Sequence, residues 1–254
     1  MAIIKTREET EILRESGRRL ATILDEVIQS VRPGITPIKL DRIAERLIRE
    51  GGDEPAFLHY QPKSAQSPYP AALCVSANGN VVHGVPGNQA LKEGDIVGLD
   101  LGLGHTGMIT DMAVTVPVGV VDKGAIKLME VTQKALDVGI KEARAGNRVG
   151  DIGHAIESFV KSSGLSIVRE LGGHGVGHKL HEDPFIPNFG QKGTGAKLVP
   201  GMVLAIEPIV NEGSREVVTT EDGHTIRTKD GKRSAHFEHT ILITKKGAEI
   251  ITVL

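Results

Sequence analysis

A chain of 254 residues, 39% hydrophobic and 24% charged, is long enough to bury a sizeable core and has the composition of an ordinary globular protein. Its net charge of −2, from 30 basic against 32 acidic residues, offers no phosphate-tracking surface for nucleic acid, and its one cysteine, Cys74, excludes a disulfide framework or a cysteine-built zinc site. No apolar run approaches ~18 residues and the N-terminus turns charged too early for a secretory signal, so a cytoplasmic protein without a membrane span is expected.

Thr6 followed by Glu9 predicts a capping box at the start of a long helix. Apolar residues then recur at helical spacing from Ile12 and Leu13 through Leu20, Ile23, Leu24, Val27, Ile28 and Val31, and Pro33-Gly34 ends the run. Thr36-Pro37 opens a second helix in cap-then-proline order, with Leu40, Ile43, Leu47 and Ile48 as its stripe and Gly51-Gly52 as its stop. Residues 53–73 read as a loop. Strand-like runs follow near 73–76, 81–83, 95–101 and 111–120, separated by Gly and Asn turns. The second half repeats the order. A helix is predicted over about 122–144, stopped by Gly146-Asn147, and a shorter one carries Val149, Ile152, Ile156, Phe159 and Val160. Strands are expected near 166–171, 202–211, 215–220 and 236–244, with 182–198 a long loop.

The halves also match locally. Val82-His83-Gly84-Val85-Pro86 resembles Gly173-His174-Gly175-Val176-Gly177, and the run from Gly94 to Asp100 resembles that from Gly201 to Glu207. Asp111 to Val116 resembles Glu238 to Ile243. Glycine-rich turns and strand alternation can produce false repeats, but these matches keep the same order. They predict one domain over residues 1–254 with an internal repeat, about 1–120 and 121–254, related by a pseudo-twofold axis.

The repeat sets Asp100 against Glu207 and Asp111 against Glu238, each in or at the end of an apolar strand-like run. Acids are depleted in strands and rarely buried unless paired. Strand alternation puts Asp100 on the face of Ile96 and Gly98, Glu207 with Val203 and Ala205, Asp111 with Ala113 and Thr115, and Glu238 with His236 and Thr240. Four converging carboxylates must protonate in part or gather cations, and no matching set of lysines or arginines accompanies them. Two divalent ions balance four acids. Oxygen-rich ligation with an imidazole suits Mn²⁺, Fe²⁺ or Co²⁺, with Zn²⁺ a further option. His174, in its glycine-rich setting, is the best imidazole candidate. His59, His105, His154, His178, His236 and His239 read as surface or internally satisfied residues.

Together, His83, Asp100, Asp111, His174, Glu207 and Glu238 resemble the pattern of the type I methionine aminopeptidases, members of the pita-bread metallopeptidase superfamily. The supporting motifs are His-Gly-Val-Pro at 83–86, His-Gly-Val-Gly-His at 174–178, His-Glu-Asp-Pro at 181–184, Ile-Glu-Pro at 206–208 and Phe-Glu-His-Thr at 237–240, and they span nearly the whole chain. The resemblance implies an α+β pita-bread fold: two related α/β halves around a central antiparallel sheet. It implies metal-dependent removal of N-terminal methionine from nascent proteins and peptides by a hydroxide lying between two ions. Asp100 would hold one ion, Asp111 and Glu238 would bridge both, and His174 and Glu207 would complete the other. Glu207 would also shuttle the proton. His181 would donate to the scissile carbonyl, and His83 would contact the scissile amide and help protonate the leaving nitrogen. Nascent N-termini are the implied partners, with the ribosome a partner by resemblance only and a monomer expected.

Prolidase-type relatives carry an extra N-terminal domain for which this chain has no room, and type II enzymes carry an insertion between residues that here, His174 and Glu207, are 33 apart. The side-chain pocket departs from the family. The loop from Phe57 to Leu73 is longer than usual, and Tyr60 rivals Tyr69 for one pocket position beside Cys74. Leu180 stands where phenylalanine is expected, and His224 where many members have tryptophan. The alternatives are a proline-directed peptidase of the same fold and, less favoured because every ligand position is filled, a catalytically silent binding protein.

Overall fold

Helix α1 (Arg7–Gln29) begins where Thr6 and Glu9 close the predicted box: the Thr6 amide donates to Glu9 Oε2 at 2.7 Å and the Glu9 amide to Thr6 Oγ1 at 3.2 Å. Helix α2 (Pro37–Glu50) starts at its proline, although the Thr36 side chain makes no capping hydrogen bond. The computed structural model describes residues 4–62 and 66–254. The first three residues, and residues 63–65 of the 57–73 loop, lie outside the described residues.

The strands β1 (Glu54–Pro55), β2 (Leu73–Ala77), β3 (Asn80–Val82), β4 (Ile96–His105) and β5 (Met108–Pro117) follow. Helices α3 (Lys123–Glu142) and α4 (Val149–Ser162) come next. The chain then runs through β6 (Ser166–Ile167), β7 (Gly172–Gly175), β8 (Glu182–Pro187), β9 (Val203–Ile206), β10 (Ile209–Asn211), β11 (Val217–Thr219) and β12 (Ile226–Thr228). It ends with β13 (Ser234–His236), β14 (Glu238–Thr244) and β15 (Gly247–Ile250). Among the described residues, nine strands form one antiparallel sheet in the order β1-β4-β5-β14-β9-β7-β8, with β2 beside β4 and β15 beside β14. Two three-stranded sheets, β13-β10-β6 and β11-β12-β3, flank it. This is the expected α+β architecture.

Strand alternation decides what faces the helices. Leu99, Leu101 and Leu103 of β4 cluster with Leu20, Leu24, Leu40 and Ile48 of α1 and α2. Leu204, Ile206, Ile241 and Ile243 cluster with Leu128, Leu136, Ile152 and Ile156 of α3 and α4. Each such fully buried side chain contributes ~1.5–3 kcal/mol. The odd-and-even logic leaves Asp100, Asp111 and Glu238 on the other face of the same strands. No helix among the described residues is long and apolar enough to cross a membrane.

Several boundaries differ from expectation. The region 182–198 is not all loop, because residues 182–187 form β8 against β7. Two prolines and two acids hide that strand, and the glycines of β7 admit it: a Cβ on Gly175 would collide with the Asp183 carbonyl. The run 202–211 breaks after Ile206, since Pro208 has no amide to donate. The run 236–244 breaks at Phe237, and β6 stops at Ile167. Strand β1 falls within the expected loop 53–73, and β7, β12 and β15 lie outside the expected strands.

Candidate active site

The sheet register brings the four acids together. The β4–β5 hairpin pairs Asp100 with Ala113 and Gly102 with Asp111, so the two aspartates sit on neighbouring rows. Glu238 opens β14 opposite the same Ala113. Glu207 lies one step past the Ile206–His239 pair that joins β9 to β14, which sets it beside Glu238. His174 reaches the cluster from β7, opposite Ala205. Two threonines lock the junction of β5 with the β13–β14 segment. The Asp111 amide donates to Thr240 Oγ1 at 2.9 Å while that hydroxyl donates to the Asp111 carbonyl at 2.7 Å. Thr115 does the same with His236, receiving its amide at 2.9 Å and donating to its carbonyl at 2.8 Å.

The electrostatics favour a cation. Asp100 Oδ1, Asp111 Oδ1, Glu238 Oε1 and His236 Nε2 are buried and make no hydrogen bond. Orphaned buried polar atoms are costly and rare, and these converge. Burial pushes Asp100 up to about 7, and pushes Asp111 and Glu238 well above the ordinary carboxylate range, with neighbouring acids adding to the effect. Glu207 differs. Burial would raise it, but His236, His174 and His181 outweigh that and hold it low, as a carboxylate. Two sets of three ligand atoms lie within 4.8 Å of one another: Asp100, His236 and Glu238, and Asp111, His174 and Glu238. The donor types suit divalent transition ions, so the residues fit the metal that the sequence implies.

A stability prediction follows from those shifts. Without ions, the folded protein holds protons on Asp100, Asp111 and Glu238 that the unfolded chain releases near pH 4. Depressed His83, His181 and His239 oppose this, but only below about pH 6.5, the ordinary imidazole value. The chelated protein should therefore melt at a lower temperature at about pH 8.5 than at about pH 6.5. Added divalent ions should remove that fall, because they favour the ionised carboxylates. Calorimetry showing a flat or rising Tm in chelator would contradict the reading.

The imidazoles fall into two groups. His174 Nδ1 lies 2.9 Å from the Gly175 carbonyl, which can only accept, so Nδ1 carries the hydrogen and Nε2 turns its lone pair to the acids. That Nε2 is 3.5 Å from Glu207 Oε1 and 4.0 Å from Asp111 Oδ2. His83 and His181 stand across the mouth, open to the cleft yet walled by protein, and that burial depresses them to about 4 and about 3. Both are neutral at pH 7. The His181 ring meets His174 edge-on at 4.4 Å and its Nδ1 lies 2.7 Å from Tyr60 Oη. Behind it, Glu182 is tied to Lys5 in a buried ion pair at 2.5 Å, which anchors the loop to the N-terminal segment. His83 has a left-handed backbone, φ 56°, and its neighbour Gly84 leaves no room for a Cβ against the Val75 carbonyl. His83 is thus held off the end of β3 and turned to the cleft.

A cavity of about 440 Å³ extends from the acids, lined by Phe57, Tyr60, Tyr69, Cys74, Leu180 and His224 among others. Tyr60 and Tyr69 are not rivals, because both line it. Tyr69 donates to the Gly84 carbonyl at 2.9 Å, while Tyr60 serves His181. Leu180 is buried with Phe57, Tyr69, Ala71 and Cys74. His224 stands edge-on to Tyr69 at 5.5 Å and pairs with Ser67 Oγ at 3.0 Å, which ties it to the long loop.

Sequence reading missed Phe57 as a pocket wall, and it misplaced His236. His236 is buried, its Nε2 lies 3.5 Å from Glu207 Oε2 and 3.7 Å from Glu238 Oε2, and it lines the same cavity. It is therefore neither a surface residue nor a satisfied one. Burial alone would lower this imidazole, but Glu207 and Asp100 raise it above its ordinary value. The available signal was its position two residues before Glu238, on the same strand face. Three other histidines of that group have local partners: His105 on Asp53, His178 on Glu9 and His239 on Thr252.

The sequence profile of metallopeptidase family M24 matches residues 11–245. Methionine aminopeptidase 1 of Bacillus subtilis (strain 168) is 47% identical over 252 residues, 99% of each chain. The solved structure of methionine aminopeptidase from Thermotoga maritima superposes with a TM-score of 0.96 at 45% identity, covering all of both chains. The prolidase from Pyrococcus horikoshii OT3 shares the fold, with a TM-score of 0.78 at 21% identity over 64% of that chain and all of this one. A buried carboxylate and imidazole cluster, a pita-bread sheet and these full-length likenesses agree: the chain belongs to metallopeptidase family M24.

Proposed function

We propose that this chain removes N-terminal methionine from newly made polypeptides in the cytoplasm by hydrolysing the first peptide bond. The observation that carries it is the convergence of orphaned buried ligand atoms on Asp100, Asp111 and Glu238 at the floor of a largely apolar cavity. Asp100, Asp111, His174, Glu207 and Glu238 would hold two divalent ions, drawn from Mn²⁺, Fe²⁺, Co²⁺ or Zn²⁺. Bound there, such ions supply a nucleophilic water at neutral pH and polarise the scissile carbonyl. Glu207, held as a carboxylate beside three imidazoles, accepts the proton of the attacking water and returns it to the leaving nitrogen. His181 and His83 are neutral, so they act as N–H hydrogen-bond donors and not as imidazolium acids. With the Tyr60 hydroxyl donating to its Nδ1, His181 presents Nε2–H to the carbonyl oxygen as charge develops. His83 steadies the amide nitrogen, and the proton that releases the amine comes from Glu207.

The pocket suits a flexible thioether. Phe57 and Tyr69 give aromatic walls, while Leu180 and Cys74 give aliphatic and sulfur surface. One methylene in such a slot changes binding by only ~1–3 kcal/mol, so discrimination against neighbours of methionine rests on shape.

The test is one assay with two peptides. Metal-stripped protein is reloaded with Mn²⁺, Fe²⁺ or Co²⁺ and given Met-Ala-Ser and an X-Pro peptide, and free amino acids are quantified. Metal-dependent release of methionine from Met-Ala-Ser alone is expected. Release from the X-Pro peptide without methionine release would assign the site to proline-directed hydrolysis instead.

A further inference from the structure

His236 is the one buried imidazole of the cluster that the reading above leaves without a task. Its Nε2 makes no hydrogen bond, although three carboxylates surround it. If that nitrogen carried the hydrogen, the nearest acceptor, Glu207 Oε2 at 3.5 Å, would be poorly placed to receive it. If it carries the lone pair, it faces the orphaned oxygens of Asp100 and Glu238. Lone pairs turned toward each other are reconciled by a cation shared between them. Their spacing is close to that of donors on one ion: His236 Nε2 lies 3.7 Å from Glu238 Oε2, and ligand atoms of Asp100, His236 and Glu238 lie within 4.8 Å of one another. The ring cannot turn away easily. Its backbone is bonded twice to Thr115, and Glu238 follows two residues later on the same face.

We propose that His236 is a metal ligand, so that each of two ions has one aspartate and one imidazole: Asp100 with His236, and Asp111 with His174, joined by the shared Glu238. This rests on the reading of the cluster as a dinuclear divalent-metal site, and adds a nitrogen donor to the ion on Asp100. An added imidazole moves that position away from hard Mn²⁺ toward Co²⁺ and Zn²⁺.

The experiment loads the metal-stripped full chain with Co²⁺ alone, measures affinity by equilibrium dialysis, and counts imidazoles by X-ray absorption at the cobalt edge. The wild-type chain should bind two ions with, on average, one imidazole per ion. His236→Gln should halve the imidazole count, as should His174→Gln, and weaken one of the two ions by at least ~10-fold, the loss that even an outer partner of a ligand can bring. The Co²⁺-to-Mn²⁺ affinity ratio at that position should fall with it. An unchanged count in His236→Gln overturns the assignment. So does a wild-type spectrum with one imidazole shared over two ions, which needs no variant to fold. If the wild-type chain binds no ion, the dinuclear reading itself fails and takes this one with it; if it binds two ions and the count is unmoved, only the role of His236 fails.

Discussion

Glu207→Gln should lower kcat for methionine release by roughly 10²–10⁴-fold, the range general acid–base catalysis supplies. The cause is specific. The amide keeps the size and an oxygen for ligation, but it cannot take a proton, and it removes the carboxylate that His236, His174 and His181 hold in its ionised form. The protein should still fold, because Glu207 follows β9 on the cleft face and contributes nothing to the packing of Leu204 and Ile206 beneath it. Metal content must be measured alongside kcat, so that a lost ion is separated from a lost proton shuttle. Wild-type turnover in this variant would overturn the mechanism.

The second large effect is expected at His181. Its alanine variant should lose about 10²–10³-fold in kcat with little change in KM, because a donor aimed at a developing oxyanion works mainly in the transition state. The pH profile gives a further check. His181 is depressed to about 3 and His83 to about 4, so neither should produce an acid limb near pH 6.5 in wild-type kcat/KM. A rise in KM alone would make His181 a ground-state binding group.

The legible parts of this protein are those where one residue type contradicts its surroundings. Asp100 between Leu99 and Leu101, or Glu238 ahead of an apolar run, is a carboxylate inside a strand, where acids are depleted, and the local matches between the two halves of the sequence multiply the signal. The helices were readable because capping and stripe agreed, as at Thr6, Glu9 and Leu13. Strand β8 was not readable, since Pro184 and Pro187 signal a loop and its pairing depends on how closely β7 glycines let it approach. His236 escaped because an imidazole is common on surfaces and in cores alike; only three-dimensional convergence shows that its nitrogen lacks a partner. Tyr60 and Tyr69 looked like competitors because alignment offers one slot where the folded loop offers two.

The paired threonine bonds of Asp111 with Thr240 and His236 with Thr115 bear on how such a molecule can change its preferences. They rivet strands from the two halves of the chain at two points on either side of Glu238, so the floor of the site resists widening. The floor thus supplies a fixed geometry, and selection falls to the walls. Those walls, Tyr60, Ser67 and Tyr69 on one loop and His224 on another, meet His181 and each other through side chains. Insertions and exchanges there can retune which N-terminus is accepted while the chemistry beneath stays fixed.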